Sequence, residues 1–292
     1  MKVGFIAILG RPNVGKSTLL NALLSKKVSI VTPRAQTTRD AIMGILNEFD
    51  HQYVFVDTPG IFDGSAGLDR EMRKSAFTSS RDVNAILYMI DASVKSLDTD
   101  FEVYDSIRSD APRIIVLNKI DLIRPQRGME LKAEIKEKYP EVTILEASIK
   151  ENFGIKEIKD AIECYLEEGQ PFFPQGVLTD KDMAYQAKEV IREKLLHFLH
   201  QEVPHQSAVK IDRCEETAKG VVIEATIILE KPNHKGIVIG KGGEMIKKIG
   251  FATRTELGRM WKKPIASLHI EVEVDPGWRN DPRKLAELGY GE

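Results

Sequence analysis

Hydrophobic residues in the first half of the chain form short continuous runs that alternate with segments of helical periodicity. The runs are rich in branched and aromatic residues and predict buried strands at Gly4–Leu9, Tyr53–Val56, Ala85–Ile90, Ile114–Leu117 and Val142–Leu145. Apolar positions spaced by three or four residues predict helices at Lys16–Leu24, Asp98–Ser109, Leu131–Tyr139 and Ile155–Leu166. Strands that alternate with helices indicate an α/β fold with a mostly parallel sheet covered on both faces.

The pattern changes after Glu167–Thr179, a segment whose prolines and glycines are typical of an interdomain linker. Beyond it the chain shows an amphipathic helix over Ala187–Leu199, two strands, a glycine cluster, a basic helix and a last strand. The strands are predicted at Ala208–Arg213, Val221–Leu229 and Leu268–Val274. This order indicates a second domain of the α+β class. We therefore expect a first domain at residues 1–170, a linker at 171–179, a second domain at 180–280 and a C-terminal tail at 281–292.

Composition and charge agree with a globular protein that carries one basic region. Of the 292 residues 42% are hydrophobic and 29% charged, and the formal net charge is −2. Within Lys231–Lys263, however, nine residues are basic and only two are acidic, which indicates either a polyanion-binding surface or a solvated helix face. Cys164 and Cys214 predict reduced thiols in a cytosolic protein. Because no apolar run approaches ~18 residues, we expect no membrane span. The apolar start, MKVGFIAILG, is short and has no small-residue cleavage site after it, so we expect no signal peptide.

The segment Gly10–Ser17, GRPNVGKS, fits the phosphate-loop pattern G-x-x-x-x-G-K-[ST] between a predicted strand and a predicted helix. Glycines let the main chain curl so that N–H groups point at phosphate oxygens, and the helix N-terminus adds partial positive charge. Lys16 can then reach the β- and γ-phosphates, while the Ser17 hydroxyl can bind Mg²⁺. The residues expected to bind nucleotide here are Gly10, Asn13, Val14, Gly15, Lys16, Ser17 and Thr18.

Two further motifs follow predicted strands. In Asp57-Thr58-Pro59-Gly60, Asp57 can hold the metal through water and the Gly60 N–H can reach a γ-phosphate. In Asn118-Lys119-Ile120-Asp121, the Asp121 carboxylate can accept hydrogen bonds from N1–H and N2–H₂ of guanine. Adenine would leave that carboxylate unpaired, so the motif favours GTP over ATP. As a turn residue or helix N-cap, Asp121 would have only a local role. We expect Asn118, Lys119 and Asp121 in the nucleotide site.

Together these motifs resemble the translation-factor-like branch of the small GTPases over residues 1–170. The resemblance implies that Thr38 joins Ser17 and Asp57 around Mg²⁺ when GTP is bound, with the adjacent Thr37 as the alternative. It also implies that main-chain N–H groups at Ala147–Ser148 contact guanine, where the family has a Ser-Ala pair in the opposite order.

One position departs from Ras-type enzymes, because Ile61 follows Gly60 where they have a glutamine that orients water. In similar GTPases an asparagine at the position of Asn13 coordinates K⁺, which supplies charge in place of an arginine finger. The alternative is that Asn13 only stabilises a turn. We expect slow, Mg²⁺-dependent hydrolysis that K⁺ stimulates, with catalytic roles for Lys16, Thr38, Gly60 and Asn13.

The second domain contains a G-x-x-G loop that leads into a basic helix. KH domains use such a loop between two helices to clamp a single-stranded backbone, and the helix–strand–strand–helix–helix–strand order is that of the type II KH domain. The residues expected to bind RNA are Gly240, Lys241, Gly242, Gly243, Lys247 and Lys248. An apolar floor for the bases is expected from Ile237, Ile239, Met245, Ile246 and Ile249.

A GTPase domain joined to a KH domain resembles the Era family of bacterial GTPases over nearly the whole chain. The resemblance implies binding to 16S ribosomal RNA near its 3′ end, a role in 30S subunit assembly, and peripheral association with the inner membrane from the cytoplasm. We expect a monomer that does not bind DNA. Two other functions stay open: a P-loop ATPase, and an RNA-binding scaffold whose GTPase domain only senses nucleotide. His197, His200 and His205 lack further ligands, so no metal site is expected there.

Overall fold

The computed structural model describes residues 1–32, 34, 37–61, 66–79 and 81–290. The chain folds as two compact units. The first comprises Met1–Ser29, Thr38–Gly64 and Met72–Asp180, and the second comprises Ile30–Thr37, Ser65–Glu71 and Lys181–Glu292. The second unit therefore includes two short segments from the sequence region expected to form the first domain. The domain boundaries given above stay a prediction.

The first unit is an α/β structure with strands and helices in alternation. Their bounds are β1 Lys2–Gly10, α1 Lys16–Leu24, β2 Ile42–Glu48, β3 His51–Asp57, α2 Gly67–Thr78, β4 Ala85–Asp91, α3 Asp98–Ser106, β5 Arg113–Asn118, α4 Pro125–Lys138, β6 Thr143–Glu146, α5 Ile155–Glu163 and β7 Glu167–Glu168. Of α2, residues 67–71 belong to the second unit and the rest to the first. The sheet order is β2-β3-β1-β4-β5-β6, and β7 pairs with β1. Strands β3, β1, β4, β5 and β6 are parallel, whereas β2 is antiparallel to β3. This arrangement confirms the predicted α/β fold.

Both faces of this sheet are buried, which explains why its strands are continuous apolar runs. Along β1, Ile6 and Ile8 belong to a core cluster with α1 and α5, while Ala7 and Leu9 belong to another with α3 and α4. Successive side chains of a strand point to opposite faces of the sheet. When both faces are covered, all of these side chains are buried, so apolar residues occupy nearly every position of the strand. As a result, the polar side chains of the site gather at the carboxyl edge of the sheet.

The segment rich in proline and glycine is attached to the sheet of the first unit. Gln52 donates to the Phe173 carbonyl (2.8 Å) and accepts from the Phe173 N–H (3.0 Å). The Ile45 N–H donates to the Leu178 carbonyl at 2.9 Å. Composition predicted an interdomain linker, and these hydrogen bonds attach the segment to the sheet of the first unit.

The second unit is α+β, with α6 Met183–Phe198, β8 Ser207–Thr217, β9 Gly220–Leu229, α7 Pro232–Ile239, α8 Glu244–Trp261, β10 Ile265–Val274 and α9 Pro282–Glu287. Its sheet order is β10-β9-β8, with β8 antiparallel and β10 parallel to β9. This confirms the predicted KH topology. The residues predicted as a tail pack in this unit, because Leu285 and Tyr290 are buried and Lys188 Nζ donates to the Leu288 carbonyl. No helix in the described part of the chain is long and apolar enough to cross a membrane.

Candidate nucleotide site and RNA-binding surface

The phosphate loop joins β1 to α1, and its shape depends on residues that adopt a left-handed main-chain conformation. Gly15 has φ +108°, and a Cβ at this position would lie 2.3 Å from Asn118 Nδ2. Asn13 has φ 64°, a conformation that asparagine tolerates better than most residues. Gly15 is the N-cap of α1, and among the described residues no side chain caps this helix. The N–H groups of its first turn are therefore available to an anion.

Lys16 is buried beneath this loop and is held by the loop itself. Its ammonium donates to the carbonyls of Gly10 at 3.0 Å and Arg11 at 2.8 Å. Burial lowers the pKa of Lys16 from 10.5 to about 8, although the nearby Asp57 charge opposes the shift. A phosphate would offer this ammonium a charged acceptor in place of two neutral carbonyls. The loop thus holds the Lys16 ammonium where phosphates are expected, and burial makes its charged form less stable than in water.

Three oxygen-bearing side chains meet beside Lys16. Ser17 Oγ and Thr38 Oγ1 lie 2.8 Å apart, and the fully buried Asp57 accepts a hydrogen bond from Ser29 Oγ at 2.9 Å. Among the described residues, Asp57 Oδ1 has no hydrogen-bond partner. Burial raises the pKa of Asp57, while the Ser17 hydroxyl, Lys16 and the Ser29 hydroxyl oppose this rise. Hard oxygen ligands with an unsatisfied carboxylate oxygen fit the preference of Mg²⁺.

The two threonine candidates differ in what they contact. Thr38 lies next to Ser17 in the first unit, whereas the Thr37 hydroxyl belongs to the second unit. Thr37 Oγ1 donates to the Arg34 carbonyl at 2.7 Å and is also 2.7 Å from Thr32 Oγ1. The geometry therefore favours Thr38 as the metal ligand.

The D-x-x-G segment lies directly against the phosphate loop. A Cβ at Gly60 would lie 2.7 Å from the Pro12 nitrogen and Cα, so only glycine fits this approach. The Ile61 N–H donates to the Gly10 carbonyl at 3.2 Å, and the Ile61 side chain is buried in the core. A buried aliphatic side chain has no atom that could orient a water molecule.

Asn118 and Lys119 connect the loops of the site to each other. Asn118 Nδ2 donates to the Val14 carbonyl at 2.8 Å, and its Oδ1 accepts from the Ile149 N–H at 3.1 Å. Lys119 Nζ donates to the Asn13 carbonyl at 2.8 Å and to Asp91 Oδ2 at 2.6 Å. Both residues lie at the predicted place, and the described contacts show them bracing the phosphate loop.

The predicted guanine contacts divide into one side chain and two main-chain groups. The exposed Asp121 carboxylate accepts a hydrogen bond from Ser148 Oγ at 2.5 Å. The Ala147 N–H, however, donates to the Leu117 carbonyl (2.8 Å), and the Ser148 N–H donates to the Phe153 carbonyl (3.1 Å). The expectation of free main-chain donors here is corrected, because strand pairing and a short bridge already use them. Ser148 instead presents its hydroxyl to Asp121.

Two residues that sequence reasoning missed support the site. Asp91 ends β4 and pairs with Lys119; burial tends to raise the pKa of Asp91, but hydrogen bonds from Lys119 and Ser93 hold it below its ordinary value. Ser29, which bonds Asp57, is positioned by Asn21, whose Oδ1 accepts from the Ser29 N–H at 3.0 Å. Asp91 could have been found as a carboxylate at a strand's carboxyl end, whereas no local pattern marks Ser29.

The G-x-x-G loop of the second unit has the open main chain that phosphate contact requires. Gly240, Gly242 and Gly243 all have positive φ, and a Cβ at Gly242 would meet no atom within 4 Å. Lys241 and Lys247 are exposed at this loop and along α8.

Two of the predicted RNA-binding features are buried or engaged within the unit. Lys248 Nζ lies 4.4 Å from the centre of the Phe198 ring, so packing on α6 holds this ammonium. Ile249 is fully buried in the core and cannot belong to the predicted apolar floor, whereas Ile237 is exposed. In the described part of the chain, no cluster of histidine, cysteine and acidic residues could hold a metal ion.

Comparison with known proteins gives matches to both units and to the whole chain. The model of a family described as 50S ribosome-binding GTPase matches residues 5–119, and a KH domain model matches residues 202–279. The GTPase Era of Caldanaerobacter subterraneus subsp. tengcongensis is 41% identical over 294 residues, which cover 99% of this chain and 98% of that protein. The GTPase Era of Fusobacterium nucleatum subsp. nucleatum is 42% identical over 296 residues, with 100% of both chains covered.

Two solved structures are similar over 100% of this chain and of theirs. A crystal structure of an Aquifex aeolicus Era variant bound to GDP.AlF4⁻ is 38% identical, with a TM-score of 0.95. A crystal structure of Era in complex with MgGDPNP and nucleotides 1506–1542 of 16S ribosomal RNA is 39% identical, also with a TM-score of 0.95. With full-length relatives near 40% identity and both units matched, this chain belongs to the Era family of GTPases.

Proposed function

We propose that this chain is a GTP-binding and GTP-hydrolysing switch that binds 16S ribosomal RNA near its 3′ end and assists assembly of the 30S subunit. The observation that carries the nucleotide part is the convergence of Lys16, Ser17, Thr38 and Asp57 beside an open helix N-terminus. The RNA part is supported by the glycine loop of the second unit and by the relative that binds nucleotides 1506–1542 of that RNA.

The residues of the site divide the work of phosphoryl transfer among them. Ser17, Thr38 and Asp57 would hold Mg²⁺, which when bound neutralises charge on the β- and γ-phosphates. Lys16 would balance charge on the same phosphates, and the Gly60 N–H would contact the γ-phosphate. Because Ile61 is buried and apolar, no side chain at this position orients the attacking water. Hydrolysis is therefore slow, and Asn13 at the exposed tip of the loop is the candidate ligand for a stimulating K⁺.

The nucleotide also controls the second unit, through the segment Ile30–Thr37. The residues on either side of this segment, Ser29 and Thr38, contact Asp57 and Ser17 in the first unit. The segment itself belongs to the second unit, where the Val31 N–H donates to Glu193 Oε1 at 3.3 Å.

Arg192 holds the other end of this segment. It is fully buried, pairs with both oxygens of Glu189 at 2.9 and 2.6 Å, and donates to the Thr37 carbonyl. Since Thr37 is bonded covalently to Thr38, any movement of Thr38 towards Mg²⁺ and the γ-phosphate must displace the group that Arg192 binds.

One experiment tests both parts of the proposal. RNA affinity is measured with a non-hydrolysable GTP analogue and with GDP at one salt concentration, for the parent chain and for Arg192→Met/Glu189→Met. Removing both charges avoids an unpaired buried ion, so the fold is expected to persist. The parent should bind RNA more tightly with the analogue, and the double variant should lose much of that difference. Arg213→Met/Glu215→Met, an exposed pair of the same unit, is the control. Equal RNA affinity in both nucleotide states would contradict the switch.

A cytoplasmic location is proposed on the two free cysteines, Cys164 and Cys214. The peripheral membrane association implied by the family resemblance stays a prediction, which co-sedimentation of the full chain with anionic vesicles can test.

A further inference from the structure

A cavity of about 560 Å³ lies in the first unit among residues that take no part in the nucleotide site. Its walls come from the C-terminal half of α2, the turn after it, and the end of α3. The lining residues are Arg73, Phe77, Arg81, Asp105, Ser106 and Arg108. We call this cavity the arginine pocket. Its volume is within the range of pockets that hold a nucleotide-sized group.

The one carboxylate among the described lining residues, that of Asp105, is already paired. Asp105 Oδ2 accepts from Lys138 Nζ at 2.8 Å, and Oδ1 accepts from the Tyr139 hydroxyl at 2.6 Å. Burial tends to raise the pKa of Asp105, but these hydrogen bonds hold it below its ordinary value. The carboxylate therefore stays ionised and bound to Lys138. With Asp105 bound to Lys138, the guanidinium groups of Arg81 and Arg108 give the described lining an excess of positive charge.

The negative end of the neighbouring helix is covered as well. At the end of α3, the Arg113 guanidinium donates to the carbonyls of Tyr104 (3.2 Å), Ile107 (2.8 Å) and Ser109 (3.1 Å). These carbonyls would otherwise carry the partial negative charge of the helix C-terminus towards this region. With them satisfied, hydrogen-bond donors dominate the polar character of the pocket.

We propose that the arginine pocket binds backbone phosphates of ribosomal RNA, as a second contact besides the KH surface. The inference rests on the proposed RNA-binding function. A guanidinium offers paired N–H groups that match phosphate oxygens, which a lysine ammonium cannot do. The site is concave, and its aromatic residue, Phe77, lies under the Arg73 guanidinium at 5.7 Å and packs against the core. A recessed, concave site can admit a phosphate of a flexible single strand more readily than the headgroups of a flat bilayer, so RNA is favoured over a membrane.

The test compares two variants that each remove two positive charges from the first unit. Arg81→Ala/Arg108→Ala changes the pocket, and Lys95→Ala/Arg124→Ala changes exposed residues that do not line it. Binding is measured by fluorescence anisotropy, over a salt titration, for a short single-stranded RNA that only the KH surface can hold and for a longer fragment of the 16S 3′ region. A third variant, Arg81→Lys/Arg108→Lys, keeps the charge and checks that the fold is retained.

For the longer fragment, loss of two phosphate contacts should lower the slope of log affinity against log salt by about 1.5. The affinity at physiological salt should fall about tenfold, and the lysine variant should recover most of the slope. The short RNA and the control variant should be unaffected, and GTP hydrolysis without RNA should be unchanged. An unaltered slope for the longer fragment in the alanine variant would overturn the inference. So would loss of anionic-vesicle binding with RNA binding intact, since that assigns the pocket to lipid. Failure of the parent chain to bind either RNA would instead refute the proposed function.

Discussion

Replacing Asn118 by alanine should destabilise the first unit, because this side chain joins three loops. Its amide donates to the Val14 carbonyl and accepts from the Ile149 N–H, and all three residues are at most 3% exposed. Alanine leaves both main-chain groups without their partner. Each unsatisfied buried group costs about 1–3 kcal/mol, so the sum is about 2–6 kcal/mol. Water from the open phosphate site can satisfy part of this, and we expect a loss of about 2–4 kcal/mol in the free energy of unfolding.

The assay follows each unit by itself, without nucleotide, so that weaker ligand binding does not enter the result. Trp261 and Trp278 are the only tryptophans in the sequence, and both belong to the second unit. Their fluorescence during urea unfolding therefore reports that unit and serves as an internal control. Hydrogen exchange of amides in β1 and β5 reports the first unit. Asp121→Ala is the matched control from the same motif, since it removes an exposed carboxylate and its one described hydrogen bond, from Ser148 Oγ, at a cost of about 0.5–1.5 kcal/mol.

Asn118→Ala should speed exchange in β1 and β5 while leaving the tryptophan transition unchanged. If exchange in both strands stays within about 0.5 kcal/mol of the parent, Asn118 does not brace the phosphate loop. If Asp121→Ala has an equal effect, the destabilisation belongs to the motif as a whole, and the two buried hydrogen bonds do not explain it.

Three further predictions concern the chemistry of the site. Because burial lowers the pKa of Lys16 to about 8 and a bound phosphate favours the charged form, GDP affinity in EDTA should be constant below pH 8 and fall about tenfold by pH 9. Lys16→Arg stays charged and controls for ionisation of the nucleotide; an equal decline in both proteins would contradict the assignment. Hydrolysis should be faster in K⁺ than in Na⁺, and both Asn13→Ala and Asn13→Gly should remove the difference. Glycine tolerates the φ of 64° at this position, so if the Asn13→Gly variant kept the K⁺ effect, Asn13 would stabilise the turn and would not bind K⁺. Asp121→Asn should weaken GTP binding and shift preference towards xanthosine nucleotides, and unchanged GTP affinity in the folded variant would refute base recognition.

The parts of the fold that could be predicted from sequence are those where local pattern and burial agree. Helix α1 begins and ends at the predicted residues, Lys16–Leu24, because the phosphate-loop motif fixes its start and its apolar residues continue to its end. The central strands were predicted to within two residues, since burial on both faces makes them continuous apolar runs. Helix α3 ends three residues before the predicted Ser109, where Arg113 binds its terminal carbonyls. Arg113 lies on the next strand, four to nine residues from these carbonyls, and its contact with them follows no helical or strand periodicity.

The missed elements depend on tertiary contacts. Strand β2 contains Gly44, whose missing side chain lets Leu20 of α1 approach: a Cβ there would lie 2.5 Å from Leu20 Cδ1. A glycine within a strand weakens the local signal, so only the packing reveals its role. Helix α2 begins at Gly67, where the Asn280 side chain, 213 residues later, accepts from the Gly67 N–H. Likewise Ser29 and Asp91 reach the site through hydrogen bonds to residues 28 positions away.

The Arg192 contact also limits how strongly the nucleotide can act on RNA binding. Arg192 keeps its pairing with Glu189 whether or not Thr37 is present, because both side chains belong to α6. Burial alone would lower the pKa of Arg192, but the Glu189 carboxylate more than offsets this and holds it above its ordinary value, so the guanidinium stays charged in either state.

Only the bond to the Thr37 carbonyl is gained or lost. A hydrogen bond to a charged group contributes about 1.5–3 kcal/mol. The GTP and GDP states should therefore differ in RNA affinity by about 10- to 150-fold if this bond carries the coupling. By reciprocity, RNA must change the ratio of GTP-analogue affinity to GDP affinity by the same factor. A larger factor that persists in Arg192→Met/Glu189→Met would place the coupling in other contacts.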